Sequence, residues 1–393
     1  MDLRLLTLAL GTFAIGTDSF VVAGLLPQVS RSLNVSIEAA GQMITVYAIA
    51  YAVMTPVMAT FTAHWPRRRV LGSALAVFTL GNVLTAVVSS FDLVLLSRAL
   101  AGVGGAMFTP AASATAAALV PPEARGRALA VVMAGLSGAT ALGAPIGTLV
   151  GSAGDWRATM WLVALLGLAA GAGIAAALPQ LPGSTKLSLG ERLAPLGDKR
   201  VAMILMTTLL VLGGLYTVYS YVSVVFDRAT AGNGSVLALL IGIWGMAATI
   251  GNLVAGSLTD RFGSRAVINL AIAVVAIDFA LIPLSSATFT GSVVALIVWG
   301  LCGWGMLVPQ QHRLVSISPA LAPILLALNA ATIYIAVSLS GLLGAAALQV
   351  MQPYNLALVG AVLIIFGLGS AELAYMLMAQ QQGVPRQSKV KKF

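Results

Sequence analysis

The chain has 393 residues, 59% of them hydrophobic and only 8% charged, with a mean hydropathy of +0.98. An average soluble domain carries about 25% charged residues. So few charges cannot cover a soluble surface, which excludes soluble enzymes, disordered chains and repeat solenoids and leaves a polytopic membrane protein. The net charge of +9 would suggest nucleic acid in a soluble chain; in a membrane protein its meaning depends on which loops carry it. One cysteine, Cys302, allows no intrachain disulfide, and its apolar setting predicts inert packing. Two histidines and one cysteine form no zinc or haem pattern, and no cofactor is expected.

A spanning helix needs about 20 apolar residues. Twelve runs qualify: 5–26, 39–62, 69–90, 93–119, 127–151, 157–179, 201–226, 235–258, 266–286, 290–311, 320–349 and 354–379. They do not alternate with period two, which excludes a β-barrel. The first run is too long for a signal-peptide core and ends in Leu26-Pro27-Gln28, so it is expected to stay as a span. With the N-terminus inside, 17 basic residues fall in inner loops and tails. Only Arg31, Arg157 and Arg228 fall outside, and Arg98 lies within the fourth span. That asymmetry predicts both termini in the cytoplasm of a cell-membrane protein, and it accounts for the net charge without nucleic acid.

The polar stretch 180–200 divides the spans six and six, giving a lobe over 1–179, a cytoplasmic linker, a lobe over 201–380 and a basic tail over 381–393. An offset of 197 residues relates Gly256-Ser-Leu-Thr-Asp260-Arg261-Phe-Gly263-Ser-Arg265 to Ala59-Thr-Phe-Thr-Ala63-His64-Trp-Pro66-Arg67-Arg68. Gly147 and Gly344 match at the same offset. The first copy keeps the basic cluster and loses the acid and both glycines. These matches predict two duplicated, pseudo-symmetric lobes.

Gly256-x-x-x-Asp260-Arg261-x-Gly263-x-Arg265 resembles the loop motif of the major facilitator superfamily. Arg98-x-x-x-Gly102-x-Gly104-Gly105-Ala106 resembles that family's helix 4 motif, with Ala101 where a Gln is usual. Gly143-Ala144-Pro145-Ile146-Gly147-Thr148 resembles its exporter-associated helix 5 motif. Gly16-Thr17-Asp18-Ser19-Phe20 through Pro27 resembles helix 1 of the efflux branch, with the acid one place earlier than is common. The resemblance covers essentially the whole chain. It points to the twelve-helix drug:proton antiporters, near the arabinose- and sugar-efflux and chloramphenicol-resistance-like exporters. It implies an all-α fold of two six-helix lobes that rock about a central cavity.

A charge in hydrocarbon is costly, so each one needs a partner or a function. Asp18 and Arg98 fall roughly 12 Å and 8 Å below the outer boundary at 1.5 Å per residue. The resemblance places their helices at the cavity, where the pair would couple proton movement to transport or stand as a static ion pair that fixes lobe packing. Asp278 and Glu372 lie on spans that the family uses as supports, and are weaker coupling candidates. Gly256, Asp260, Arg261, Gly263 and Arg265 form a candidate cytoplasmic latch, or a topology signal alone, with Gly256 allowing close helix approach and Gly263 a turn. Gly143, Gly147 and Gly151, with Pro145, form a close-packing seam and hinge. Tyr47, Tyr51, Met54 and Met58 share one helical face, as do Tyr216, Tyr219, Ser220 and Ser223. These two stripes are candidate cavity walls for an amphipathic organic substrate, or plain interhelical packing. Gln310, Gln311 and Asn329 fit either a cavity or interhelical hydrogen bonding.

No ATP-binding loop or selectivity filter is present in the sequence. The reading is a monomeric, proton-driven exporter of small amphipathic compounds, not an enzyme, with the lipid bilayer, protons and a small-molecule substrate as partners. A sugar or nucleoside transporter of the same fold is the alternative. A membrane receptor or scaffold is the alternative from another class.

Overall fold

The computed structural model describes residues 2–183 and 187–382. Lys186 of the linker and residues 383–393 of the basic tail lie outside them. The helices begin where polar caps meet apolar runs. The side chains of Asp2, Ser36, Ser90, Asp155, Asp198, Asn233 and Thr288 each accept a backbone N–H from the first turn they precede.

The spans are α1 (Leu3–Leu33), α2 (Ile37–Phe61), α3 (Arg67–Val87), α4 (Phe91–Ala118), α5 (Arg125–Ser152), α6 (Trp156–Ala177) and α7 (Lys199–Tyr219). A single 52-residue helical stretch, Gly234–Ser285, follows. At 1.5 Å per residue it would measure about 78 Å, far beyond a bilayer core of about 30 Å. Gly263 divides it, with φ 78° and ψ 153°, into α8 (234–262) and α9 (264–285). Then come α10 (Phe289–Ile317), α11 (Pro319–Leu348) and α12 (Leu356–Gln382). Twelve spans are thus present among the described residues.

Three expected runs differ in detail. α7 stops at Tyr219, and the chain bends at Tyr221 before a single turn, Val222–Val225. α10 is offset at Met306 and continues to Ile317. α5 widens into a π turn over Ala139–Gly143. Pro145 follows two residues after the turn ends and has no N–H for an ordinary fourth-residue bond, so the wider turn absorbs the mismatch.

α1–α6 pack among themselves, as do α7–α12. Two seams join the lobes, α2 against α11 and α5 against α8. Moving six helices along the chain exchanges these seams, as pseudo-twofold symmetry requires. The core forks. Around Phe20, Leu25, Met43, Tyr221, Trp244 and Trp299 one cluster spans both lobes. Toward the linker it splits into a first-lobe cluster around Phe78 and Phe108 and a second-lobe cluster around Ile204 and Leu325. The lobes are therefore closed together at the face away from the linker and parted toward it.

Candidate functional site

In the half of the bundle away from the linker, α1, α3 and α4 bring three polar side chains together. Arg98 Nη1 donates to Asp18 Oδ1 at 2.6 Å. Both side chains are sealed, Asp18 at 0% and Arg98 at 1% exposure. Asn82 Nδ2 reaches Asp18 Oδ2 at 3.5 Å, and Arg98 Nη1 reaches Asn82 Oδ1 at 3.4 Å. Asn82 also donates to the Phe78 carbonyl at 3.1 Å, which fixes its rotamer. Sequence reading missed Asn82. An amide side chain well inside a span was the available signal. Arg98 lies 4.7 Å from the Tyr47 ring centroid, a cation–π contact. Its Nε has no partner among the described residues.

Close packing makes this approach possible. Gly81 and Gly104 lie where α3 and α4 touch, and a Cβ on either would collide with backbone of the other helix. At the 197-residue offset Asp18, Asn82 and Arg98 correspond to Leu215, Phe279 and Ala295, all buried. The charge centre therefore exists in one lobe only.

Beside it, aromatic residues bridge the lobes. The Tyr51 ring stacks on Tyr334 of α11, with centroids 3.6 Å apart. Ser19, the neighbour of Asp18, meets the Tyr47 hydroxyl at 3.1 Å and the Tyr334 hydroxyl at 3.4 Å. Tyr334 carried no sequence signal, because only the lobe seam brings it here. Met54 and Met58 continue the α2 stripe toward the linker, packed on the first-lobe core. In the second stripe, Tyr219 is buried against Phe20, Trp244 and Trp299 and donates to the Phe20 carbonyl at 3.1 Å. Tyr216 stacks on Phe20. Ser220 and Ser223 do not extend this stripe as a helical face, because the helix ends at Tyr219. Both are buried.

Gly143 and Gly147 of α5 face Thr17 and Val21 of α1, and Gly151 faces Leu25. Pro145 meets α8 near Gly242. The same region of α5 therefore packs on α1 and on the opposite lobe. The loop residues behave differently. Gly256 has nothing within 4 Å of a built Cβ, so it serves no close approach here. Asp260, Arg261 and Arg265 are exposed, and Asp260 has no ion pair among the described residues. The loop cluster is thus not closed on itself. Arg265 instead grips Glu372 of α12, Nη2 to Oε2 at 2.6 Å and Nε to Oε1 at 3.1 Å. Asn269 donates to the same carboxylate.

Asp278 on α9 is largely buried, and its Oδ2 has no partner among the described residues. Gln310 donates to the Ile204 carbonyl at 2.7 Å, and Asn329 accepts from Thr208 at 3.0 Å. These two residues tie α10 and α11 to α7. No cluster of metal-ligating side chains occurs among the described residues.

The comparisons with known proteins agree with this architecture. Residues 8–344 match the Major Facilitator Superfamily. The chain belongs to that superfamily. It is 32% identical over 314 residues to the inner membrane transport protein YdhP of Escherichia coli (strain K12), covering 80% of each chain. It is 28% identical to the MFS-type transporter YbcL of Bacillus subtilis (strain 168), over 96% of this chain and 97% of that one. A chloramphenicol resistance protein of Streptomyces lividans is 34% identical over 266 residues, 66% of this chain and 68% of the relative. Among solved structures, a bacterial homologue of the human lysosomal transporter Spinster matches with a TM-score of 0.76. That match covers 97% of this chain and 98% of that one at 15% identity, a likeness of fold. The protein is a multi-pass membrane transporter of this superfamily, and such transporters move small molecules across a bilayer.

Proposed function

We propose that this chain is a proton-driven exporter of small amphipathic organic compounds, working by alternating access between lobes 1–179 and 201–380. The observation that carries the reading is the sealed Asp18–Arg98 pair within the spans, set against residues that bridge the lobes. Asp18 cannot both keep a full charge pair with Arg98 and hold a proton. In the linker-open shape the pair is made, which corresponds to a proton already released and a site ready for substrate. Opening toward the other face would let water reach Asp18, and a proton there would loosen Arg98 from it. The proton carried inward on Asp18 is given up toward the linker face as the emptied lobes return and Arg98 closes on the carboxylate again.

Tyr47, Tyr51, Tyr216, Tyr334 and the methionines Met54 and Met58 offer π faces, hydroxyls and thioethers, a lining suited to an amphipathic compound. The relative named for chloramphenicol resistance points the same way, and the one named as an inner membrane transport protein supports the membrane placement. The reading places the chain in the inner membrane as a monomer, with both termini, the linker and the basic tail in the cytoplasm, and with the proton gradient in place of any cofactor.

Purified protein in liposomes tests this, with a panel of aromatic amphiphiles and an imposed pH gradient. The wild type should concentrate substrate against its gradient and move protons only when substrate is present. Asp18→Asn should lose accumulation entirely. Substrate-independent proton flux, or accumulation that survives in Asp18→Asn, would overturn the proposal.

A further inference from the structure

The two lobes differ at one equivalent place near the linker face. In the second lobe Arg265 and Asn269 of α9 hold the Glu372 carboxylate of α12. At the 197-residue offset these positions become Arg68, Gly72 and Ala175. The arginine is kept, while the carboxylate and the amide are gone. A cavity of about 310 Å³ stands between α3 and α6, lined by Arg68, Arg69, Gly72, Ala175 and Gln180 among others. That volume equals about ten waters at liquid density. Arg68 donates to the Ala175 carbonyl, so it still bridges the two helices. A Cβ on Gly72 would meet nothing within 4 Å.

Neither arginine has a carboxylate partner among the described residues. The linker's acids are engaged elsewhere, Glu191 with Ser188 and Asp198 with Arg200. Three consecutive arginines, Arg67 to Arg69, also open α3, where the helix dipole disfavours positive charge. A topology signal alone would need these charges but not a cavity.

We infer that this cavity binds the phosphate group of an anionic membrane lipid, which takes the place that Glu372 holds in the other lobe. The arginines supply charge-assisted hydrogen bonds to phosphate oxygens. The apolar walls at Ile174, Ala175 and Pro66 suit the glycerol and upper acyl chains. α3 and α6 are peripheral, with Leu80, Leu165 and Leu168 exposed on their outer faces, so a lipid reaches the cavity from the bilayer. A free phosphate from solution shares the head-group chemistry and lacks the acyl contacts.

Native mass spectrometry of the full chain tests the inference, with phosphatidylglycerol and phosphatidylcholine of identical acyl chains in competition. The wild type should retain one phosphatidylglycerol selectively. Arg68→Gln/Arg69→Gln should bind it about thirtyfold more weakly, taking about 1 kcal/mol for each arginine. Ala175→Glu keeps both arginines and installs the second lobe's own carboxylate, and it should displace the lipid while preserving or raising the unfolding temperature. In a parallel arm, inorganic phosphate at millimolar concentration should compete poorly. Phosphate that displaces the lipid stoichiometrically would keep the anion site but move its ligand to solution. Equal retention of the two lipids, or lipid binding unchanged in both variants, would overturn the inference. None of these readouts depends on transport, so the result stands apart from that of the liposome assay.

Discussion

Asp18 and Arg98 are each tolerable only because the other is present. Removing one partner of a buried pair costs about 3–5 kcal/mol, while removing both charges together is often near neutral. Arg98→Gln should therefore lower the unfolding temperature in detergent markedly, and Asp18→Asn/Arg98→Gln should recover most of the loss. If the double variant were no more stable than Arg98→Gln, Asp18 would not be the charge that Arg98 compensates. Asp278 has no basic partner among the described residues, so its replacement breaks no ion pair. Asp278→Asn should accordingly leave both stability and accumulation close to wild type. Loss of accumulation in that variant would make α9 a second coupling element. Asp18 and Arg98 were legible in the sequence because charge in hydrocarbon is rare. Asn82 was not singled out, because an Asn in a span is cheap enough to escape a charge count.

At the scale of elements, glycine does different jobs in different helices. Gly263 holds a conformation open essentially to glycine alone, and there the break makes two spans of one stretch. Gly263→Ala should cost about 1–3 kcal/mol through backbone strain, since its Cβ would collide with nothing. Gly147→Leu should cost a similar amount for the opposite reason, overpacking against Val21 and Thr159. Gly256→Ala should stabilise by up to about 1 kcal/mol, because a helical glycine with open space gains from a methyl group. Thermal unfolding of the three variants checks the order. A destabilised Gly256→Ala would show that helices do meet there. The motif pointed to a turn at Gly263 and to a close helix approach at Gly256; the first matches the backbone break and the second does not, because one residue type serves turns, seams and open faces alike.

For the whole molecule the decisive fact is the forked core. The lobes meet from Gly234 against Ser152 and Gly341 against Thr45 at one end to Tyr51 against Tyr334 near mid-span. Thr45→Cys/Gly341→Cys, in a Cys302→Ser background, should cross-link and hold the linker-open shape, because a Cβ on Gly341 would lie 3.5 Å from the Thr45 Cβ, within disulfide range. Cross-linking should stop transport, and reduction should restore it. Full transport by the cross-linked protein would exclude opening at that end of the α2–α11 seam.

The amino-acid sequence by itself determined that this is a membrane protein, where its spans run, that its halves repeat, and which two charges stand apart. Those properties follow from hydropathy, length and loop charge, which are local or additive along the chain. Only the tertiary structure decided that Asp18, Asn82 and Arg98 meet and that Tyr334 joins them across the seam. It alone showed that the lobes part toward the linker, and that a carboxylate present in one lobe is an arginine-lined cavity in the other. Those facts depend on helices distant in sequence being pressed together, and the same apolar runs are compatible with more than one way of closing the lobes.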